Sequence, residues 1–556
     1  MKIAIAQLNP TIGDIQGNAN KILKAADRAA SEGVRLLLTP ELSLCGYPPR
    51  DLLIDPNFVA TMVEQLSELA SKLPEGVAVL VGTVEPNAGA ISTGGKPLFN
   101  SVALIEKSNI LKVFHKRLLP TYDVFDEDRY FEPGNQPNQF ELDGVHIGVT
   151  ICEDLWNDEE FWGKRTYTLN PIADLAQAGV KFTINLSASP YTVGKQKLRE
   201  AMLRHGALRF NQPLIYANQV GGNDDLVFDG TSIAINKKGE LIARAVGFEE
   251  DWLVLEYNRE KQDFEKSSIV APPDCEEAEL WSALVLGVRD YACKCGFSKI
   301  VLGLSGGIDS SLIAAIASEA VGKENVLGIL MPSPYSSDHS IQDALDLARN
   351  VGIQTQTLAI GTVMECFDHT LNPLFAGTPF GLAEENLQSR IRGTLLMAVS
   401  NKFGHLLVST GNKSEIAVGY CTLYGDMNGG LAAIADVPKT KVYKLCEWIN
   451  RSQEIIPMNV LVKPPSAELK PGQKDQDSLP EYDVLDDILD RYIHQHQSPA
   501  EIVKAGHEAA IVERVVKLVR ISEFKRKQAP PGLKVTDRAF GTGWRMPIAS
   551  RWIAQI

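Results

Sequence analysis

Residues 299–322 read KIVLGLSGGIDSSLIAAIASEAVG. A short, β-branched apolar run ends in Ser305-Gly306-Gly307, and an apolar stretch free of Gly and Pro follows. That order predicts a buried strand, a tight turn and a helix. Serine and two glycines let the backbone turn sharply and aim successive amides at an anion, and the helix N-terminus behind them adds a favourable dipole. No G-x-x-x-x-G-K followed by Ser or Thr occurs in the chain, so the turn is not a Walker loop. On either side the pattern repeats: a helix at 279–296, strands at 325–333 and 354–360, and a helix at 340–352 between them. Strands and helices alternating in this way predict a Rossmann-like, doubly wound parallel sheet.

The first half is built differently. Strand-like runs at 2–8, 34–41, 77–85, 100–106, 145–154, 181–189 and 213–222 mingle with helix-like segments at 17–33, 171–179 and 195–210. Several of the strands are apolar on both faces, as in a layered α/β sandwich. TSIAINKKGELIARA, at 231–245, reads as a hairpin turning at its Lys-Lys-Gly. The polar stretch 258–279, with Pro272-Pro273, has linker composition. The expected parse is therefore a first domain over 1–260, a linker over 261–274 and a second domain over 275–556. A polar segment at 469–482, punctuated by Pro and Gly, has the composition of a loop over a site.

Composition excludes several classes. With 55 Lys and Arg against 69 Asp and Glu, the formal charge of −14 repels a phosphodiester backbone, so no nucleic-acid partner is expected. No apolar run approaches the roughly 18 residues of a membrane span, and MKIAIAQLNPTIGD lacks the pattern of a signal peptide. Eight cysteines in 556 residues make no disulfide framework, and Cys293 and Cys295 have no companions at zinc spacing. A cytoplasmic chain with reduced thiols is expected.

Cys152 stands where the apolar run GVTI meets acidic residues. A thiol at a strand end attacks only as thiolate, so it needs a base and a cation nearby. Glu41 in LLLTPE and Lys116 in VFHK supply those types at two other strand ends. The carboxylate would take the thiol proton and the ammonium would stabilise the anionic tetrahedral intermediate. His115, beside Lys116, is assigned a structural role. These three residues in their local words, with the opening KIAIAQLNPTIGDIQGN and the DGTSIAINKKGE hairpin, resemble the nitrilase-like amidohydrolases. That family has an αββα sandwich and cleaves carbon–nitrogen bonds with a Glu–Lys–Cys triad. LPTYDVFDEDRYF and NLSASPYTVGK resemble its glutaminase members. The resemblance implies that Tyr122, Ser189 and Lys195 border a glutamine pocket and that Glu127 is a further carboxylate by the triad.

SGGIDSS after a strand resembles the pyrophosphate loop of the ATP pyrophosphatases, which activate a substrate by adenylylation. Asp309 is suited to Mg²⁺, a hard cation that takes carboxylate oxygens. Residues 408–426, VSTGNKSEIAVGYCTLYGD, add a second polar cluster after an apolar run. Together with ENLQSRIRG at 385–393, the stretch 464–486, and EFKRKQAPPGLKVT at 523–536, the whole chain resembles the glutamine-dependent NAD synthetase family. The resemblance implies ATP contacts from Leu304, Ser305, Gly306, Gly307, Ile308, Asp309, Ser310, Ser311 and Thr410. It implies deamido-NAD contacts from Asn386, Glu415 and Lys525, Mg²⁺ at Asp309 and Glu415, and a homo-oligomer, at least a dimer. One loop departs from the pattern of the ammonia-dependent members: Tyr424-Gly425-Asp426 runs into Met427-Asn428-Gly429-Gly430 rather than into further acidic residues.

The chemistry is coherent with that resemblance. A carboxylate becomes an electrophile only when its oxygen is made a leaving group, and an amine attacks only as NH₃, which favours sheltered delivery. Two other readings stay open: an adenylating amidotransferase with a different carboxylate acceptor, and an amidohydrolase carrying a nucleotide-sensing module.

Overall fold

The stretch at 299–322 folds as its alternation dictates. Ile300–Gly303 is a strand with Ile300, Val301 and Leu302 fully buried, and Ile308–Val321 is a helix. The computed structural model describes residues 1–470 and 472–552. The chain divides into two units: Met1–Asn223 with Val227–Glu276, and the remainder from Glu277 onward with Asp224–Leu226.

The first unit holds two mixed sheets. One runs, in spatial order, Asp263–Phe264, Asp251–Asn258, Lys2–Gln7, Leu36–Leu38, Ala78–Pro86, Leu98–Glu106 and Asn109–His115. The other runs Leu241–Arg244, Ile233–Ile235, Leu214–Asn218, Phe182–Ser187, Val145–Ile151 and Gln139–Leu142. Strand alternation decides what meets what. Ile3, Ile5, Leu36, Leu38 and Leu80 pack against Ile147, Val149, Ile151, Ile184 and Ile215 in one core between the sheets. The opposite faces carry helices: Ile15–Ser31 and Pro56–Lys72 lie on the first sheet, and Lys195–Phe210 on the second, where Leu203 and Ala207 meet Leu214 and Tyr216. Both faces of each sheet are thus apolar, which is why the strands read as near-continuous hydrophobic runs. The arrangement is an αββα sandwich.

The stretch expected to be a linker, 261–274, is partly paired. Asp263–Phe264 adds to the edge of the first sheet, Phe264 is buried against Tyr257 and Phe182, and Ser267 Oγ donates to Val254 O at 2.7 Å. One apolar side chain on a polar segment suffices to dock it, a signal that composition averages away.

The second unit has a five-stranded parallel sheet in the order Gln354–Thr357, Val326–Leu330, Ile300–Gly303, Leu406–Ser409, Leu431–Ala432. Chain order reverses between Ile300–Gly303 and Leu406–Ser409, and such a switch point opens a crevice beyond the strand ends. A separate helical cluster, centred on Leu485, Ile488, Val512, Val515 and Val519, packs on Ala417 and Val418. Among the described residues no helix is long and apolar enough to cross a membrane.

Candidate active sites

In the first unit three strand ends deliver three side chains. Glu41 follows Leu36–Leu38, Lys116 follows Asn109–His115, and Cys152 follows Val145–Ile151. Lys116 and Glu41 are fully buried, and Lys116 Nζ donates to Glu41 Oε1 and Glu127 Oε1, each at 2.8 Å. Asn100 Nδ2 donates to both carboxylates, at 2.8 and 3.3 Å, the Ala188 amide donates to Glu41 Oε2 at 2.9 Å, and Tyr47 OH to Glu127 Oε1 at 2.8 Å.

Cys152 adopts φ +43°, the left-handed region that non-glycine residues rarely occupy. The clasp that holds it there is Asp154. One of its oxygens accepts the Ile151 amide at 3.0 Å, and the other accepts the amides of Arg117 and Leu118 at 3.0 and 2.8 Å. The nucleophile turn is thereby tied to the segment that carries the lysine. Strain of this kind at a reactive residue is stored by the surrounding bonds.

The electrostatics are asymmetric. Burial, then the charge of Glu41, push the Cys152 thiol well above its ordinary pKa, so it rests protonated. Burial opposes the Lys116 ammonium, yet Glu127 and Glu41 outweigh it and raise its pKa well above the usual lysine value. Burial lifts Glu127 to about 7 against the pull of Lys116. A protonated thiol, a permanent cation and a close carboxylate are the parts of a nucleophile activated by proton transfer.

Around this centre, Tyr122 and Tyr167 both donate to Glu153, the neighbour of Cys152, at 2.9 Å each. Lys195 opens its helix, donates to Pro190 O at 2.8 Å and lies 5.6 Å from the Trp156 ring centroid. The Ser189 amide donates to Asn218 Oδ1 at 3.0 Å, and its carbonyl accepts Arg199 Nη2 at 2.9 Å. His115 stacks on Phe99 and pairs with Glu85, on the opposite side of its strand from Lys116.

The second site lies at the switch point, where a cavity of about 560 Å³ is lined by Leu304, Ser305, Gly307, Ile308, Asp309, Ser310, Thr410 and Glu415. Gly306 turns the chain at φ +77°, and a Cβ there would meet Ser340 O at 2.1 Å, so only glycine fits. The loop is braced internally: Ser305 Oγ lies 3.1 Å from Ser310 Oγ, and the Gly307 amide donates to Ser305 Oγ at 3.2 Å. Ser311 is fully buried, its Oγ donating to Gly307 O at 2.9 Å. Asp309 accepts Asn412 Nδ2 at 2.9 Å and pairs with Lys439, which also reaches Glu415 Oε1 at 3.2 Å. Burial lifts Glu415 to about 8, with Lys439 opposing and Asp309 adding. Among the described residues no group of three or more metal-ligating side chains is arranged to hold an ion. Two carboxylates on one lysine suit the other mode, in which one or two protein carboxylates and substrate phosphates share Mg²⁺.

Asn386 and Lys525 stand apart from this wall. Asn386 Oδ1 accepts Thr422 Oγ1 at 2.9 Å, and Lys525 Nζ donates to the carbonyls of Gly419 and Cys421, both at 2.7 Å. In the departing loop Asp426 Oδ1 accepts the Thr422 amide at 2.6 Å, which is a bracing contact. Residues 464–470 and 472–475 line the cavity, as the composition of 469–482 suggested; Pro471 of that segment lies outside the described residues.

Sequence reasoning missed Lys439, Asn412, Asn100, Asp154 and Glu153. A signal for Lys439 exists. Lysine at the first position of a helix opposes the macrodipole by roughly 0.3–1 kcal/mol, so it needs an anion to justify it. Lys195, Lys413 and Lys439 all open helices here.

Residues 2–261 match the carbon-nitrogen hydrolase family and residues 280–529 the NAD synthase family. Fold and sites thus define a two-unit amidotransferase, an amide-cleaving thiol unit joined to an ATP-pyrophosphatase-type unit. A glutamine-dependent NAD(+) synthetase of Synechocystis sp. is 64% identical, with 100% of this chain and 99% of the relative covered. The one from Thermotoga maritima is 44% identical, with 99% of each covered. The solved structure of the Acinetobacter baumannii enzyme in complex with ADP aligns with a TM-score of 0.77 at 40% identity, covering 100% of this chain and 99% of that one. The chain belongs to the glutamine-dependent NAD(+) synthetase family.

Proposed function

We propose that this chain makes NAD from deamido-NAD, ATP and glutamine, releasing AMP, pyrophosphate and glutamate. The observation that carries the reading is the pairing in one chain of a buried Cys152–Glu41–Lys116 centre with a glycine turn at a parallel-sheet switch point. In the first unit Glu41 takes the Cys152 proton as the thiolate attacks the glutamine amide carbon. Lys116 stabilises the tetrahedral oxyanion, and the proton returns to the departing nitrogen as NH₃. Water activated by Glu41 then cleaves the thioester. Glu153, held by Tyr122 and Tyr167, suits the substrate α-ammonium, Lys195 suits its α-carboxylate, and Ser189 borders the same pocket.

In the second unit the amides of 304–307 and the helix N-terminus cradle ATP phosphates, with Thr410 and Ser305 to Ser311 alongside. The deamido-NAD carboxylate attacks the α-phosphorus, pyrophosphate leaves, and NH₃ displaces AMP from the acyl adenylate. Asp309 and Glu415 would hold Mg²⁺, which supplies positive charge to the phosphate oxygens. Asn386, Glu415 and Lys525 are assigned to the dinucleotide.

A homo-oligomer, at least a dimer, belongs to this reading. The helix Gly361–Phe375 buries none of its residues, and Phe367, Leu374 and Leu382 are exposed, which supports association of this unit with a second copy. Eight unpaired cysteines support a cytoplasmic setting.

The test is AMP formation from ATP with deamido-NAD as acceptor and either glutamine or ammonium as donor. AMP and NAD appearing together with both donors is the expected result. Glutamate released without AMP would leave an amidohydrolase whose second unit senses nucleotide, and NAD-independent AMP formation would point to a different acceptor.

A further inference from the structure

Two charges in the second unit have no assignment so far. Arg392, on the helix Leu382–Phe403, is half-buried and lines the cavity. Its Nε donates to Met331 O at 3.0 Å, and among the described residues it makes no other hydrogen bond and no ion pair. Met331 follows Val326–Leu330, which pairs in parallel with Ile300–Gly303. The carbonyl that aims Arg392 therefore sits one strand over from the start of the glycine turn. Of the four lysines that line the same wall, three are engaged: Lys439 with Asp309 and Glu415, Lys463 with Asp343 at 2.7 Å, and Lys470 with Glu385 at 3.3 Å. A guanidinium whose two Nη groups face no acceptor bears a desolvation cost that an arriving anion would relieve. Burial takes its pKa down to about 10 although Glu468 pulls upward, so it is a cation at neutral pH.

Glu468 is the second charge. Its Oε1 accepts Ser337 Oγ and Ser340 Oγ, each at 2.7 Å, and its Oε2 lies 3.3 Å from the Ser337 amide. Those groups form the N-terminus of the 14-residue helix Asp338–Val351, and Lys463 Nζ reaches Ser340 Oγ at 3.2 Å. Ser340 O is the atom against which Gly306 packs, so this carboxylate lies at the end of the cavity next to the glycine turn. Glu468 itself adopts φ +49°, a left-handed conformation that these bonds must hold.

We propose that Arg392 binds the pyrophosphate portion of ATP, and that Glu468 is an intramolecular competitor for the same end of the cavity. The proposal rests on the adenylylation reading above. As the acceptor carboxylate oxygen bonds to the α-phosphorus, the bond from that phosphorus to the bridging oxygen breaks. The electron pair leaves on pyrophosphate. Charge thus grows on the β and γ groups, and a fork of two Nη donors matches two non-bridging oxygens there. Glu468 offers the helix N-terminus the same kind of oxygen pair that a phosphate would, so the two exclude each other.

The discriminating feature is that the two substitutions move affinity in opposite directions. Pyrophosphate inhibition and the KM for ATP are measured in ammonium-driven synthesis by the full-length chain, with thermal unfolding as the check on folding. Arg392→Met is expected to raise the inhibition constant for pyrophosphate and the KM for ATP by at least about tenfold, with Arg392→Lys intermediate because it keeps charge but not the fork. Glu468→Gln is expected to lower both constants severalfold. A folded Arg392→Met or Arg392→Lys variant with unchanged constants would overturn the assignment of Arg392. Weaker pyrophosphate binding in Glu468→Gln would overturn the competition and make Glu468 a closing contact instead. If the unsubstituted enzyme formed no AMP at all, the adenylylation reading itself would fail, an outcome separable from either of these.

Discussion

Replacing Glu127 by Gln tests the charge balance of the thiol site. Lys116 lies between two buried carboxylates, so full ionisation leaves one negative charge in excess. Burial, with Glu41 adding, lifts Glu127 from 4.5 to about 7. Such a carboxyl binds its proton more tightly in the folded chain than in the unfolded one. Its stabilisation is therefore complete below pH 4.5 and lost as pH rises through 7. Two and a half units at 1.36 kcal/mol each make the loss about 3 kcal/mol. Glutamine carries no such titration. Relative to wild type, Glu127→Gln should gain up to about 3 kcal/mol between pH 4.5 and 8, on top of a pH-independent offset for its altered hydrogen bonds. The same proton has a chemical consequence. With Glu127 neutral, Glu41 alone balances Lys116, and transfer of the thiol proton to Glu41 leaves the site without net charge. Above pH 7 the thiolate and the oxyanion must form in a site that already carries one negative charge in excess. Glutaminase turnover should fall on an alkaline limb with a midpoint near 7, and Glu127→Gln should flatten that limb. Denaturation of the first-unit core, followed by hydrogen exchange at pH 5.5 and 8, reads the first effect, and the pH profile of glutamate release reads the second. A variant that loses more stability at pH 8 than at pH 5.5 would show that Lys116 needs both anions, and the reasoning would be wrong.

Cys152→Ala should cut glutamine-driven synthesis by on the order of 10³-fold or more while ammonium-driven synthesis persists; undiminished activity with glutamine would remove Cys152 from the mechanism. Asp309→Ala should lower synthesis from both donors by at least about 10²-fold, read as AMP production, and a variant that still forms AMP would release Asp309 from the ATP site. Gly306→Ala must place a side chain 2.1 Å from Ser340 O in a left-handed conformation, so it should lose ATP binding and about 2 kcal/mol of stability, measured by nucleotide titration and thermal unfolding.

Much of the fold was legible because strands buried on both faces announce themselves as unbroken apolar runs, and 299–322 does so without ambiguity. Cys152, Glu41 and Lys116 were legible because each ends such a run, where side chains leave the sheet and face a crevice. Asp154 was not: its task is to accept three backbone amides from two distant segments, and a buried Asp that satisfies backbone looks in sequence like any acidic residue. Lys439 was hidden for a related reason, since it sits 130 residues from Asp309. The edge strand at 263–264 escaped because one docked Phe does not alter the polarity of its neighbours.

The two sites share one electrostatic device. In each, a buried lysine lies between two carboxylates, Lys116 between Glu41 and Glu127 and Lys439 between Asp309 and Glu415. One ammonium cannot neutralise two carboxylates, and burial, with the second carboxylate adding, pushes one member of each pair up, Glu127 to about 7 and Glu415 to about 8. The surplus is useful in opposite ways. In the thiol site it makes room for a proton, which is what a nucleophile must lose. In the ATP site, where the incoming phosphates are anionic, it is useful only if a divalent cation arrives with them, because otherwise like charges meet. Ammonium-driven synthesis should therefore depend steeply on Mg²⁺ as pH falls below about 8, where Glu415 takes up a proton and competes with the metal. Glutamate release by the first unit, whose lysine already balances its base, should show no such dependence.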